Sequence, residues 1–151
     1  MLHYTSILKS EFNEELEQLM FFNPGQHTFH DGILASIEQF GSPSVYIDNG
    51  CLRVKVEKLD EVQTLYALDD GVPVGVLVYS RVTPEHLTVI YIAVDHDYSP
   101  GGKHADQLLV MRMLKLLRKS ARRIKGVETI RIIRSSHRIQ DYPVRRRSCA
   151  I

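Results

Sequence analysis

The chain has no tryptophan, only two cysteines and no long apolar run. Nothing in it approaches the roughly 18 uninterrupted apolar residues of a membrane-spanning helix, and residues 1–10 carry no apolar signal core. No membrane partner is therefore expected, and the cytoplasm is the expected compartment. Cys51 and Cys149 lie far apart with no C-x-x-C spacing, which fits free thiols in a reducing compartment and not a disulfide framework. The end, Cys149-Ala150-Ile151, is one residue short of a prenylation box. There is no G-x-x-x-x-G-K-[ST] loop, no G-x-G-x-x-G and no G-x-S-x-G elbow, and no internal repeat. What is present is an ordinary globular composition, 44% hydrophobic and 25% charged over 151 residues, enough for one domain with its own core.

The net charge of +1 conceals a strong asymmetry. Residues 1–102 hold five Lys/Arg against fifteen Asp/Glu (−10), whereas residues 103–151 hold fourteen against three (+11). A cationic third of this kind attracts anionic ligands such as a nucleotide cofactor or nucleic acid. The competing explanation is neutralisation by the acidic part of the same chain or of a second copy.

Residues 11–22 place Phe12, Leu16, Leu19 and Met20 at helical spacing among glutamates, and Asn23-Pro24-Gly25 stops that helix. A second helix, capped by Thr28 or Asp31, carries Ile33, Leu34, Ile37 and Phe40 on one face and ends at Gly41. From Ser44 the period changes to 2. Val45–Asp48 and Leu52–Glu57 flank Asp48-Asn49-Gly50, and Val62–Leu68 and Val72–Val82 flank Asp69-Asp70-Gly71, two hairpin signals. His86–Asp95 is almost continuously apolar, as a central strand should be. A Pro/Gly loop follows, then a long helix over 103–125 with Gly126 as its stop, then a strand at Val127–Ile133. The expectation is an α/β fold with a mixed, mostly antiparallel central sheet and helices on both faces. It is divided into an N-terminal helical part (1–43), a sheet and loop core (44–134) and a basic tail (135–151).

A strand that passes through a glycine-bearing loop into a helix presents backbone N–H groups and a positive helix end to an anion. Here that loop contains Ser99, Gly101, Gly102, Lys103, His104 and Ala105.

The segments DDGVPVGVLVYSRV, HLTVIYIAVDHDYSPGGKHADQLLVMRMLKLL and VETIRII, in that order, resemble the core of the GNAT superfamily of N-acetyltransferases over roughly residues 62–142. Val94 to Tyr98 stands for the family's V-x-P-x-Y, Pro100 to Ala105 for its Q/R-x-x-G-x-G/A loop, and Leu108-Leu109 for its Leu-Leu pair. The resemblance implies acetyl-CoA, or another acyl-CoA, as co-substrate. Its pyrophosphate would lie on the amides of Ser99, Gly101, Gly102, Lys103, His104 and Ala105, and its pantetheine arm beside the main chain of Ile92, Ala93 and Val94. It further implies a small-molecule or peptide amine as acceptor and Tyr142 as the catalytic general acid. The loop departs from the pattern by one inserted residue, and Pro143 stands where the family motif continues toward Gly-Phe. Glu85, His86, Tyr91 and Asp95 are the candidates for general base. The additional hairpin of residues 44–57 suggests either added sheet edge or the contact of a homodimer.

Two clusters bear on a metal: His27, His30 and Asp31, and Asp95, His96, Asp97 with His104. Neither has the ligand count and spacing of a zinc motif, so none is expected. A nucleic-acid interface over Arg112–Lys125, Arg131, Arg134, Arg138 and Arg145–Arg147 is the alternative from another class, as is a non-catalytic acyl-CoA-binding subunit. Tyr142 is the only aromatic residue after position 103, which disfavours base stacking.

Overall fold

The computed structural model describes residues 1–24 and 29–145. The expectations placed on Gly25, His27, Thr28, Arg146, Arg147 and Cys149 lie outside the described residues. Among the described residues nine strands and three α-helices follow one another as β1 (Leu2–Thr5), β2 (Leu8–Lys9), α1 (Asn13–Phe21), α2 (His30–Phe40), β3 (Pro43–Asp48), β4 (Cys51–Val56), β5 (Gln63–Asp69), β6 (Val72–Thr83), β7 (His86–Val94), α3 (Leu109–Ala121), β8 (Thr129–Ser135) and β9 (Arg138–Pro143). Six strands form the main sheet in the order β1-β5-β6-β7-β8-β9, and β2-β4-β3 form a small second sheet. Among the described strands only β7 and β8 pair in parallel, with α3 as their connection; the other pairs are antiparallel.

Both expected hairpins close through two residues with positive φ, Asn49-Gly50 and Asp70-Gly71. Their handedness matches the strand twist, which is why Asn-Gly and Asp-Gly are read so reliably. The 44–57 hairpin does not extend the main sheet: it joins β2 in the separate sheet and packs Leu52, Val54 and Val56 into the core beneath it. The N-terminal helical part contains two strands as well, and the expected tail is partly the strand β9, paired with β8 from Thr129↔Pro143 to Ser135↔Arg138.

The core has two halves, one on each face of the main sheet. Tyr66, Val76, Val78 and Ala93 face α1 and α2, while Ala67, Leu77, Leu87 and Val89 face α3. On β7 the alternation changes phase at a bulge opposite Val78/Tyr79: Leu87 and Val89 share the α3 side with Ile92 and Val94, and Ile90 and Tyr91 both face the other half. An extra residue in one strand produces this change of parity. Leu109, Met113, Leu117 and Ala121, one every fourth residue, form the buried stripe of α3. Gly75 lets that stripe approach β6, since a Cβ there would meet Met113 Sδ at 3.0 Å and Leu109 Cδ2 at 3.2 Å.

Two helix expectations are corrected. α2 buries Ala35, Ser36 and Phe40 and leaves Leu34 51% exposed, because the helix turns Gly32 toward β8. Asp31 lies inside its first turn, and the N-cap position is Phe29. α3 begins at Leu109, not Lys103, because Ala105–Gln107 form a 3-10 turn and Leu108 takes a left-handed conformation (φ 51°). At its other end, turns separate Ala121 from Gly126.

Candidate functional site

β7 ends at Val94, whose carbonyl accepts the side-chain amide of Asn23. The Asp95 carboxylate accepts the Asp97 N–H (3.2 Å), starting a 3-10 turn over His96–Tyr98. Ser99 Oγ donates to the His96 carbonyl (2.6 Å), and the Tyr98 ring lies 5.1 Å from that of His104. The Tyr98 hydroxyl donates to the Asp69 carboxylate. Burial first, and Asp69 second, push the Tyr98 phenol well above its ordinary range, and the same bond, with the Met1 ammonium, holds Asp69 below the usual carboxylate range. Gly102 lies flat against this turn: a Cβ there would stand 2.3 Å from the His96 carbonyl oxygen. The loop is thus packed and anchored.

That packing consumes most of the amides expected to hold an anion. Ser99 N–H donates to His96, Gly102 to Ser99, His104 to Asp97 and Ala105 to Gly102, all within the loop. Of the expected loop donors, the Gly101 and Lys103 amides have no acceptor among the described residues. The continuous cradle implied by the resemblance is therefore replaced by a self-bonded turn: the Ser99, Gly102 and Ala105 N–H groups bond three residues back, as in a 3-10 turn, and His104 reaches back to Asp97.

β7 and β8 pair only from His86↔Thr129 to Val89↔Ile132. Beyond Val89 the β8-facing edge of β7, including Ile92, Ala93 and Val94, has no strand partner. α2 fills the opening, and a cavity of about 50 Å³ remains between Phe29, Gly32, Ile33, Ser36 and the two strands. Ile92, Ala93 and Val94 are themselves buried.

An opening larger than this cavity lies on the α3 side, and a wider concavity of about 1140 Å³ runs along β4 and residues 59–64. A groove of about 540 Å³ runs between α3 and the β8–β9 hairpin. Ile130 and Ile132 form its floor, and Leu108, Met111 and Leu114 its apolar wall. Arg112, Lys115, Arg118 and Arg134 line it against a single carboxylate, Asp106. Tyr142 is there too, 41% exposed, its hydroxyl donating to Gln140 (2.9 Å) and accepting from Arg134 (3.4 Å). Tyr142 sits opposite Ile130, and Ile130 opposite Leu87, so it is five residues along the strands, roughly 16 Å, from the level of Ile92. The structure does not bring Tyr142 to the main chain of Ile92–Val94, and its expected role as the acid at that end is not supported.

The base candidates separate in the same way. Glu85 and His86 lie at the opposite end of β7, where His86 bonds Thr129 and contacts Arg131 (3.4 Å). The Tyr91 hydroxyl donates to the Met20 carbonyl in the core. Asp95 alone stands at the carboxyl end of β7, partly exposed, where it joins Glu14, Glu15 and Phe22 in a second groove of about 530 Å³.

Charge explains the character of the main groove. Among the described residues the ion pairs are Met1 with Asp69 and Asp70, Arg53–Asp48 and Arg131–Asp141, and none joins the acidic first 102 residues to the basic remainder. Several arginines are nonetheless occupied by backbone carbonyls: Arg118 and Arg122 hold Val144, Arg145 holds Val127 and Arg122, and Arg81 holds Pro84 and Lys125. Among the described residues Arg112 and Lys115 have no side-chain hydrogen bond or ion pair. Sequence reasoning counted their charge but missed the groove, whose opposite wall is the unexpected strand β9. Among the described residues no three His, Cys, Asp or Glu side chains converge on a point, and no helix is long and apolar enough to cross a membrane. Comparison with protein-family models, curated proteins and solved structures gave no match to this chain.

Proposed function

We propose that the chain binds an acyl-CoA in the groove between α3 and the β8–β9 hairpin and passes its acyl group to an amine, as a GNAT-like N-acyltransferase. The observation that carries this reading is the groove itself: an apolar floor bordered by four cations, beside a parallel strand pair that separates at its carboxyl end. The arrangement of an antiparallel meander, a strand, a helix and a parallel strand also agrees with the resemblance in the sequence.

Arg112, Lys115 and Arg118 would hold the phosphates, in place of the self-bonded loop amides. Tyr142, tied to Arg134 and Gln140, belongs to this binding end. The thioester would lie toward the carboxyl end of β7. There an amine nitrogen attacks the thioester carbon, the new C–N bond forms, the C–S bond breaks, and the amine's proton must leave as the thiolate acquires one. Of the four base candidates only Asp95 is at that end of β7, and from its groove against α1 it would accept that proton through water.

A ligand that binds only the native state raises its melting temperature by mass action. Acetyl-CoA and free CoA are expected to stabilise the chain, less so at high salt, and the double substitution Arg112→Ala/Lys115→Ala is expected to abolish the shift. A shift without turnover across an amine panel identifies an acyl-CoA-binding subunit. No shift with any CoA species, with a salt-sensitive shift on single-stranded oligonucleotides, overturns the reading in favour of nucleic acid.

A further inference from the structure

Leu108 is the feature of the groove that the reading above does not use. It is a bulky residue in the left-handed region (φ 51°), at the N-cap of α3, with its side chain 62% exposed. Both choices are unfavourable: the backbone conformation costs on the order of 1 kcal/mol outside glycine, and the apolar side chain faces water. Met111, one turn on and 65% exposed, continues the same apolar rim. Together they stand over a floor of Ile130 and Ile132, while Lys115 and Arg118 follow along the helix at the i+7 and i+10 positions. The wall thus changes from apolar to cationic along its length. Its charge is complementary to a ligand with an anionic head and an aliphatic tail.

We propose that the groove selects long acyl chains, the tail folding back from the thioester under Leu108 and Met111 at the N-terminal end of α3, while Lys115 and Arg118, two or more turns further along the helix, hold the anionic head. This rests on the acyl-CoA reading for the identity of the head and names the acyl class.

Calorimetric titration with CoA, acetyl-CoA, decanoyl-CoA and decyl phosphate, each below its micelle concentration, tests it. Decanoyl-CoA is expected to bind at least about tenfold more tightly than CoA, the order expected from burying a leucine-sized apolar contact. Leu108→Gly and Leu108→Asn both keep the left-handed conformation and so keep the fold; each is expected to erase the chain-length preference and leave CoA affinity within about twofold. Equal affinity for CoA and decanoyl-CoA, or a preference that survives both substitutions, overturns the proposal while leaving the acyl-CoA reading intact. Leu108-dependent binding of decyl phosphate without binding of CoA supports the selection of an aliphatic tail and refutes the acyl-CoA reading. Binding of none of the four overturns both.

Discussion

Gly32→Ala sets two effects of opposite sign against each other in the first turn of α2. In an exposed helix the substitution stabilises by about 0.5–1 kcal/mol, because glycine loses more backbone freedom on folding. Here the added Cβ would stand 2.4 Å from the Ile133 carbonyl oxygen of β8, with the Arg134 carbonyl oxygen at 3.5 Å. The obstacle is backbone, so it cannot turn aside as a flexible side chain would. Relief requires α2 to move away from the sheet by several tenths of an ångström, which loosens the packing of Ala35, Ser36 and Phe40, all nearly buried. Overpacking of this kind costs about 1–3 kcal/mol, and because the whole helix must shift the upper part of that range applies. The net result is a destabilisation of about 1–2 kcal/mol, or about 2–8 °C in melting temperature for a chain of this length. Thermal denaturation by circular dichroism measures it, with Gly75→Ala as the control, whose tightest neighbour is the end of the Met113 side chain at 3.0 Å. A Gly32→Ala protein that melts higher than the parent would refute the close seating of α2 on β8, and with it the account of the small cavity between β7 and β8.

In the loop, Gly102→Ala is expected to cost more than Gly101→Ala: the former drives a Cβ to 2.3 Å from a backbone carbonyl, whereas at Gly101 (φ 82°) a Cβ meets nothing and only the conformational cost of about 1 kcal/mol remains. Equal melting temperatures for the two would show that the turn is not packed as described. Tyr142→Phe is expected to raise the KM for the acyl-CoA with little effect on kcat, because the hydroxyl belongs to the binding end of the groove; a selective loss of kcat would restore it as the general acid. Arg131 holds the Asp141 carboxyl below the usual range, so the stabilisation from this pair is complete above the ordinary carboxylate pKa and is lost as pH falls through the lowered one. Both side chains are about one-third exposed, which limits the effect to about 0.5–1 kcal/mol. Asp141→Asn is therefore expected to melt slightly below the parent at pH 7 and level with it at pH 2; an unchanged gap at both pH values would contradict the assignment.

The features legible in the sequence were those decided locally. Asn49-Gly50 and Asp70-Gly71 fix their turns by backbone handedness alone, and the almost continuously apolar run of β7 reports burial on both faces. What was not legible depends on partners remote in sequence. Residues 2–5 and 138–143 have strand structure because β5 and β8 offer free edges, and nothing in their own pattern announces it. The start of α3 was misplaced for a related reason. Lys103–Leu108 have no helix breaker among them, but Gly102 is pinned under the His96–Asp97 carbonyls, and the chain needs several residues to climb from there to the face of the sheet. The candidate site shows the same division. The cations of α3 were visible as charge, whereas Leu108 and Tyr142 acquired neighbours only through β8 and β9.

The arrangement of charge then gives the groove its chemistry. Had the acidic two-thirds of the chain neutralised the basic third internally, Arg112 and Lys115 would be structural ions, and the surplus of positive charge would say nothing about a ligand. Among the described residues the ion pairs instead stay within each part, and Arg118, Arg122 and Arg145 hold backbone carbonyls, which satisfies their hydrogen bonds without cancelling their charge. The positive potential at the α3 face therefore survives folding, concentrated beside an apolar floor that fully charged polymers such as nucleic acid would not need. The proposed ligand, a small anion with an apolar body, would use both. Because the potential comes from side chains and not from the loop amides, raising the ionic strength should weaken binding steadily, while substitutions in Gly101 or Lys103 should barely affect it.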